Sequence, residues 1–228
     1  MPPAPRILLV GAGGLACEVL KNLVAFDISH LSICDFDKVE HSNLNRQFLY
    51  AQADVSRYKA EVAAAKVRAL AQNRFTVSAH VAYVQDLAEA LFADHDVVVA
   101  ALDSISARSY LSQLCVAHKK PLIDGGSTGF NGQALLLWAA AGTECYSCSP
   151  KPRTREIPAC SVRGVPHKPQ DCVIWAKFFC SSPSATSCGS SVTSFRRRSE
   201  RQSFTESRLF EYLRFFKVVV CSTLSHKR

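Results

Sequence analysis

The feature that most constrains this chain is a short apolar run that stops on glycines. Arg6–Val10 reads RILLV, and GAGGLA follows at once from Gly11 to Ala16. An apolar run without the alternation of a half-exposed strand predicts a strand buried on both faces. Leu15, Val19, Leu20 and Leu23 then recur at helical spacing. A glycine-rich turn between a buried strand and a helix has a physical use. Gly11 permits the tight turn, Gly13 lets backbone N–H groups approach a phosphate, and the helix N-terminus adds its dipole and free donors. Ala16 stands where a third glycine is common and is tolerated. Asp35 follows Gly11 by 24 residues, at the end of the second expected strand. An acid there accepts hydrogen bonds from ribose hydroxyls and suits an unphosphorylated ribose. The pattern points to an adenosine nucleotide rather than a purely structural turn. It does not separate NAD or FAD from ATP.

Downstream, the reading continues to alternate. Strands are expected at His30–Asp35, Thr76–Val84, Asp96–Leu102 and Pro121–Asp124, and helices at Ser56–Leu70 and Ser106–His118. A glycine cluster, GGSTGFNG, follows, and Gln133–Ala139 closes the pattern. This predicts an α/β fold with a Rossmann-like, doubly wound, mostly parallel sheet. With 48% apolar and 20% charged residues in 228, the chain is not expected to be disordered. No apolar run approaches the roughly 18 residues of a membrane-spanning helix. The N-terminus lacks the basic-then-apolar layout of a secretory signal. The expectation is an intracellular protein whose ten cysteines serve as free thiols, metal ligands or nucleophiles. After Cys180 the texture changes. Residues 181–228 hold twelve serines, and nine Lys/Arg against three acids, so +6 of the net +8 sits there. That segment is expected to be an irregular basic tail, with Glu206–Val220 its one candidate amphipathic helix. Its FRRRSERQ run reads as a solvated charge cluster or a nuclear localisation signal. With so little charge elsewhere, a nucleic-acid partner is not expected.

The segment Asp35–Tyr50 (DFDKVEHSNLNRQFLY) gathers Asn43, Asn45, Arg46 and Gln47 within five positions. Arg offers a planar fork for phosphate oxygens, and Lys59, at the start of a helix, a compact charge. Both cations stand in polar contexts and are expected to be exposed. Hydride transfer needs no such set, whereas a triphosphate does, because charge develops on the leaving pyrophosphate. Asp103 ends DVVVAALD, at the crevice edge of a parallel sheet, where a carboxylate suits Mg²⁺. Cys145 and Cys148 form a CxxC pair: two ligands of a structural Zn²⁺, a redox pair, or two unliganded thiols. Tetrahedral zinc needs four ligands, so the pair is half a site. Cys160 lies between Pro158 and Pro166 near Arg155, Arg163 and Lys168. Those cations favour thiolate, which makes it the best nucleophile candidate. Cys17, Cys34 and Cys115 read as small buried residues, and Cys172 lies on an apolar helix face.

Taken together, GAGGLA, DFD, SNLNRQF, SRYKA, AALDSISAR, TECYSCSPKP and IPACSVRGVP resemble the ubiquitin-like-modifier activating enzymes of ThiF/MoeB adenylation type, over about residues 6–180. TECYSCSPKP, PACSVR and CVIWAKFF resemble the SUMO-activating branch. The resemblance implies roles. Gly11, Ala12, Gly13, Gly14, Leu15 and Ala16 would line the ATP phosphates and adenine. Asp35 would bind the ribose, with Asp37 close by. Asn43, Leu44, Asn45, Arg46 and Lys59 would contact the phosphates. Asp103 would organise Mg²⁺, and Ser104, Ile105, Ser106, Ala107 and Arg108 would border the nucleotide. Cys145 and Cys148 would bind Zn²⁺, and Cys160 would form a thioester. It implies an adenylation domain over 1–144, a CxxC and catalytic-cysteine segment over 145–180, and the tail beyond. The implied partners are a regulatory subunit in a heterodimer, SUMO or a related modifier, and a conjugating enzyme. No membrane is implied, and the location is nucleus and cytoplasm. The family's catalytic subunits carry a larger catalytic-cysteine domain, a second CxxC pair and a ubiquitin-fold domain that are not recognisable here. A nucleotide-binding pseudo-subunit without full activity therefore stays open, as does an NAD- or FAD-dependent oxidoreductase.

Overall fold

The computed structural model describes residues 3–128 and 131–148, which fall within one compact unit. Expectations for Cys160, Cys172 and the basic tail lie outside the described residues. The elements are β1 (Arg6–Val10), α1 (Gly14–Leu23), β2 (His30–Cys34), α2 (Lys59–Ala71), β3 (Thr76–His80), α3 (Glu89–Ala93), β4 (Val97–Ala100), α4 (Ile105–Ala117), β5 (Leu122–Thr128) and β6 (Asn131–Leu137). They build a six-stranded sheet in the order β3-β2-β1-β4-β5-β6. β1 to β5 pair in parallel, with Ile7 beside both Leu31 and Val97, and β6 runs antiparallel to β5. The expected mostly parallel, doubly wound sheet is what forms.

The apolar runs are continuous because the sheet is covered on both faces. Ile7–Val10 and all of β4 are buried. α1 buries Ala16, Cys17, Val19, Leu20 and Leu23, and α2 buries Ala60, Ala63, Ala64, Val67 and Ala71. The small residues let these helices sit close to the sheet. Another cluster joins Leu8, Val10, Phe92, Val98, Ala100, Leu111, Cys115 and Leu122. Burial pushes the thiols of Cys17, Cys34 and Cys115 up to about 12. They are core residues, as expected, and not nucleophiles.

Three boundaries depart from the expectation by three residues or more. α2 begins at Lys59 rather than Ser56, because Ser56 is left-handed (φ 72°) and Arg57 and Ser56 exchange backbone hydrogen bonds with Val39. β3 stops at His80, since the chain turns at Val84–Asp86. The glycine cluster is not a loop at its start. β5 runs on through Gly125 and Gly126, paired with Ala134 and Gln133 of β6. Glycine there leaves room for a buried side chain: a Cβ on Gly126 would stand 2.8 Å from Nη1 of Arg108 and would displace that guanidinium.

Candidate nucleotide site

The strand order reverses between β1 and β4, and a crevice at the carboxyl ends of those strands is where open α/β sheets bind ligands. The glycine turn occupies that place. Gly11 has φ 97°, and a Cβ on it would stand 2.6 Å from the Ala101 carbonyl oxygen. Its N–H donates to the Cys34 carbonyl at 2.8 Å. Any side chain would push the turn off the end of β4. Gly13 is the N-cap of α1 and supplies no side-chain cap. A Cβ there would meet nothing within 4 Å. The N–H groups of Gly14, Leu15 and Ala16 have no acceptor within their own helix, so this end of α1 is a ready site for phosphate oxygens.

Asp35 closes one side. Its Oδ2 accepts from the Ala12 N–H at 2.6 Å and its Oδ1 from the Asp37 N–H at 2.7 Å. Each oxygen keeps capacity for a further donor, such as a ribose hydroxyl. Burial raises the proton affinity of this carboxyl above the usual carboxylate range, and the hydrogen bonds from Asp37 and Ala12 oppose that rise.

The polar loop packs onto the glycine turn. The Tyr50 hydroxyl donates to the Ala12 carbonyl at 2.7 Å, and the Arg46 carbonyl lies 3.4 Å from where a Gly14 Cβ would stand. Arg46 is exposed, and its Nη1 donates to the Ser42 carbonyl at 2.6 Å and Asn45 Oδ1 at 3.2 Å. Asn43 is buried and shapes the loop, its Oδ1 accepting from the Glu40 N–H at 3.0 Å. Leu44 is half-buried and Asn45 exposed. Lys59 corrects the expectation of two exposed cations. It is only 7% exposed, because the first turn of α2 holds it against Asp37, Nζ to Oδ2 at 2.8 Å and backbone N–H to carbonyl at 2.9 Å.

Across the crevice, Asp103 is exposed and makes no hydrogen bond or ion pair with the described residues. A free carboxylate there fits an oxygen ligand for Mg²⁺. Ser104 caps α4 by accepting from the Ala107 N–H at 3.3 Å and meets the Ser106 hydroxyl at 2.6 Å. Ile105 and Ser106 are exposed and Ala107 is half-buried. Arg108 faces inward. Its Nη1 lies 2.9 and 3.2 Å from the two Asp124 oxygens, its Nε donates to the Leu102 carbonyl at 3.0 Å, and Nη2 reaches the same carbonyl. The structure thus groups the glycine turn, Asp35, the polar loop and Asp103, and sets Arg108 in the protein interior.

Cys145 and Cys148 have sulfurs 3.0 Å apart. The hydrogen bond between them lowers the Cys145 thiol and raises that of Cys148. Among the described residues no group of three His, Cys, Asp or Glu could hold a metal ion, so only two of four tetrahedral zinc ligands are present there. No described helix is long and apolar enough to cross a membrane. Two residues with structural weight carried little signal. Tyr50, which supports the glycine turn, was the last letter of a polar run, and Asp124, which holds Arg108 in the interior, was one acid in PLIDGG.

The ThiF family pattern matches residues 4–223, further than the 6–180 expected from motifs. SUMO-activating enzyme subunit 2 of Dictyostelium discoideum is 36% identical over 174 residues, covering 75% of this chain and 26% of the relative. SUMO-activating enzyme subunit uba-2 of Caenorhabditis elegans is 37% identical over 174 residues, covering 75% and 30%. The NEDD8-activating enzyme E1 catalytic subunit of Dictyostelium discoideum is 36% identical over 192 residues, covering 76% and 42%. The chain spans between about a quarter and two-fifths of the length of these relatives, and the identities do not distinguish the SUMO from the NEDD8 type. The glycine turn at the β1/β4 reversal, the Asp35 carboxylate held beside it and the match along nearly the whole length agree that the chain belongs to the ThiF family.

Proposed function

We propose that this chain activates a ubiquitin-like modifier at the expense of ATP, with SUMO as the modifier favoured by TECYSCSPKP, PACSVR and CVIWAKFF. The observation that carries the reading is the convergence of three unlike groups on one crevice: open N–H donors of α1, the Asp35 carboxylate, and a loop bearing Arg46 beside Lys59. The first turn of α1 receives phosphate oxygens and Asp35 accepts the ribose hydroxyls. Arg46, on an exposed loop over Gly14, is free to swing from the Ser42 carbonyl onto a phosphate. Lys59 reaches one by leaving or sharing Asp37. Mg²⁺, when bound at Asp103, supplies charge neutralisation at the departing pyrophosphate.

The reaction is a two-step acyl transfer. The modifier's C-terminal carboxylate attacks the α-phosphorus, the bond to the bridging oxygen breaks, and pyrophosphate leaves an acyl-adenylate. The Cys160 thiolate then attacks the acyl carbon and expels AMP, so one difficult transfer becomes two easier ones. A conjugating enzyme accepts the modifier, and a regulatory subunit completes the heterodimer. In this reading residues 1–144 are the adenylation domain and 145–180 carry the CxxC pair, a zinc half-site, and Cys160. Residues 181–228 are the basic tail, consistent with a nuclear as well as cytoplasmic location.

The test is exchange of labelled pyrophosphate into ATP, with SUMO and NEDD8 as separate arms and the regulatory subunit added. Exchange that requires SUMO, together with an adduct lost on reduction, is the expected result. Exchange without an adduct favours a nucleotide-binding subunit that lacks the thioester step. No exchange, with bound NAD or FAD, overturns adenylation.

A further inference from the structure

Three histidines from separate parts of the fold point at one hydroxyl. Ser32 is 1% exposed in the middle of β2. Its Oγ lies 3.1 Å from His30 Nε2, 3.3 Å from His80 Nε2 and 3.0 Å from His95 Nε2. His30 shares the Ser32 face of β2, His80 ends β3, and His95 lies between α3 and β4. The cluster is on the sheet but outside the nucleotide crevice.

Hydrogen bookkeeping fixes its state. His95 Nδ1 lies 2.6 Å from the Leu91 carbonyl, which can only accept, so Nδ1 carries the proton and the neutral ring's Nε2 is an acceptor. Ser32 has one proton, and it goes to that Nε2. Its two lone pairs then take N–H donors from His30 Nε2 and His80 Nε2. His30 Nδ1 is left an acceptor and receives the Thr76 hydroxyl at 2.6 Å. With all three rings neutral, every bond has one donor and one acceptor. A proton on His95 would place a third N–H against Ser32, which has no lone pair left. A proton on His30 turns the Thr76 hydroxyl to the Ser29 carbonyl, 3.3 Å away. We infer that Ser32, His30, His80 and His95 form a proton-operated latch, closed when the rings are neutral, that ties β3 and the α3–β4 turn to β2.

The surrounding charges favour the neutral form. Burial lowers the proton affinity of all three rings. Arg6 opposes a charge on His30 and His95, the rings oppose one another, and Asp94 favours the charge. Arg6 is itself held by Asp96 Oδ2 on its N–H and the Asp94 carbonyl on its Nε. The unfolded chain therefore binds more protons than the fold below about pH 6.5, and stability falls as pH drops through that range. Among the described residues β3 is the outer strand and pairs only with β2. At its end the His80 carbonyl accepts the Asp35 N–H at 3.1 Å. Opening the latch thus loosens the strand end that seats Asp35.

The test needs no nucleotide, so it stands apart from the adenylation assay. The full chain, labelled with ¹⁵N, is titrated by NMR from pH 8 to pH 5. At the alkaline end His95 is expected as the Nδ1–H tautomer and His30 and His80 as Nε2–H. On acidification the Asp35 and His80 amides should shift together with ring protonation, with midpoints below 6.5. Three rings that titrate independently near 6.5, with the Asp35 amide unmoved, overturn the latch. Ser32→Ala should separate the ring titrations from the Asp35 amide; continued coupling overturns it. His80→Gln keeps an N–H donor toward Ser32 but cannot titrate. It should fold and show a smaller acid shift at Asp35, and an undiminished shift overturns the latch.

Discussion

Arg108 and Asp124 offer a quantitative test of where the interior ends and the nucleotide site begins. Their side chains are 11% and 1% exposed, with Nη1 2.9 Å from Oδ2. Removing one member of a buried pair leaves an uncompensated charge and costs about 3–5 kcal/mol. Asp124→Asn should fall near the lower end, because the guanidinium keeps the Leu102 carbonyl. Arg108→Met takes the guanidinium away from the Asp124 carboxylate, which is 0% exposed, and should fall near the upper end. Against a total stability of roughly 5–15 kcal/mol, either change is large. With a urea slope of about 2 kcal/mol/M, a loss of 3 kcal/mol moves the unfolding midpoint down by about 1.5 M. Arg108→Met with Asp124→Leu should cost less than the sum, because an apolar pair of similar volume leaves no buried charge. The assay is urea unfolding of the three variants without nucleotide. If Arg108→Met loses under about 0.5 kcal/mol while ATP affinity collapses, the guanidinium serves the nucleotide and the argument from Asp124 is wrong.

The other substitutions divide the same way. Gly11→Ala, at φ 97° and 2.6 Å from the Ala101 oxygen, should cost about 1–3 kcal/mol for conformation alone and more for the contact; an unchanged urea midpoint would refute it. Asp103→Ala should leave the melting temperature nearly unchanged and abolish pyrophosphate exchange, and retained exchange removes its metal role. Arg46→Ala should impair ATP use with little effect on stability, whereas Lys59→Met should lower both; equal melting temperatures would deny the Asp37 pairing any weight. Cys160→Ala should keep exchange and lose the reducible adduct, and an adduct that persists assigns the thioester to another cysteine.

The sheet was legible because its signals are local. RILLV and DVVVAAL are buried on both sides, so their lack of alternation was itself the message. The turn between β1 and α1 was legible because only glycine tolerates its backbone, and the Ala101 carbonyl shows why. β5 was cut short in the reading because Gly125 and Gly126 look like a loop on composition. What makes Gly126 a strand residue is its pairing with Gln133 of β6, and what leaves it little room for a side chain is the Arg108 guanidinium from 18 positions upstream; no local pattern carries either. α3 was missed for a similar reason. At five residues it has too few turns for a helical period, and the burial of Phe92 against Leu111 and Leu122 holds it in place.

Within the site, residue type was legible and residue state was not. Arg46 and Lys59 were read alike, as cations in polar company, yet one is exposed over the glycine turn and the other is folded against Asp37. The difference comes from a chain of contacts between distant positions. Asp35 holds the N–H of Ala12 on one oxygen and that of Asp37 on the other, and the Asp37 side chain holds Lys59. Asp35, the glycine turn and the buried Lys59 are therefore one connected structure. In the proposed function, a phosphate arriving at α1 would compete with the half-exposed Asp37 carboxylate for the buried Lys59. Lys59 is stored as half of an ion pair, which spares the crevice an unpaired buried charge before the nucleotide binds. In the proposed adenylation, its release on binding would supply positive charge where the pyrophosphate departs. Arg46 carries no such restraint, so its effect should appear in nucleotide affinity and that of Lys59 in affinity and folding together.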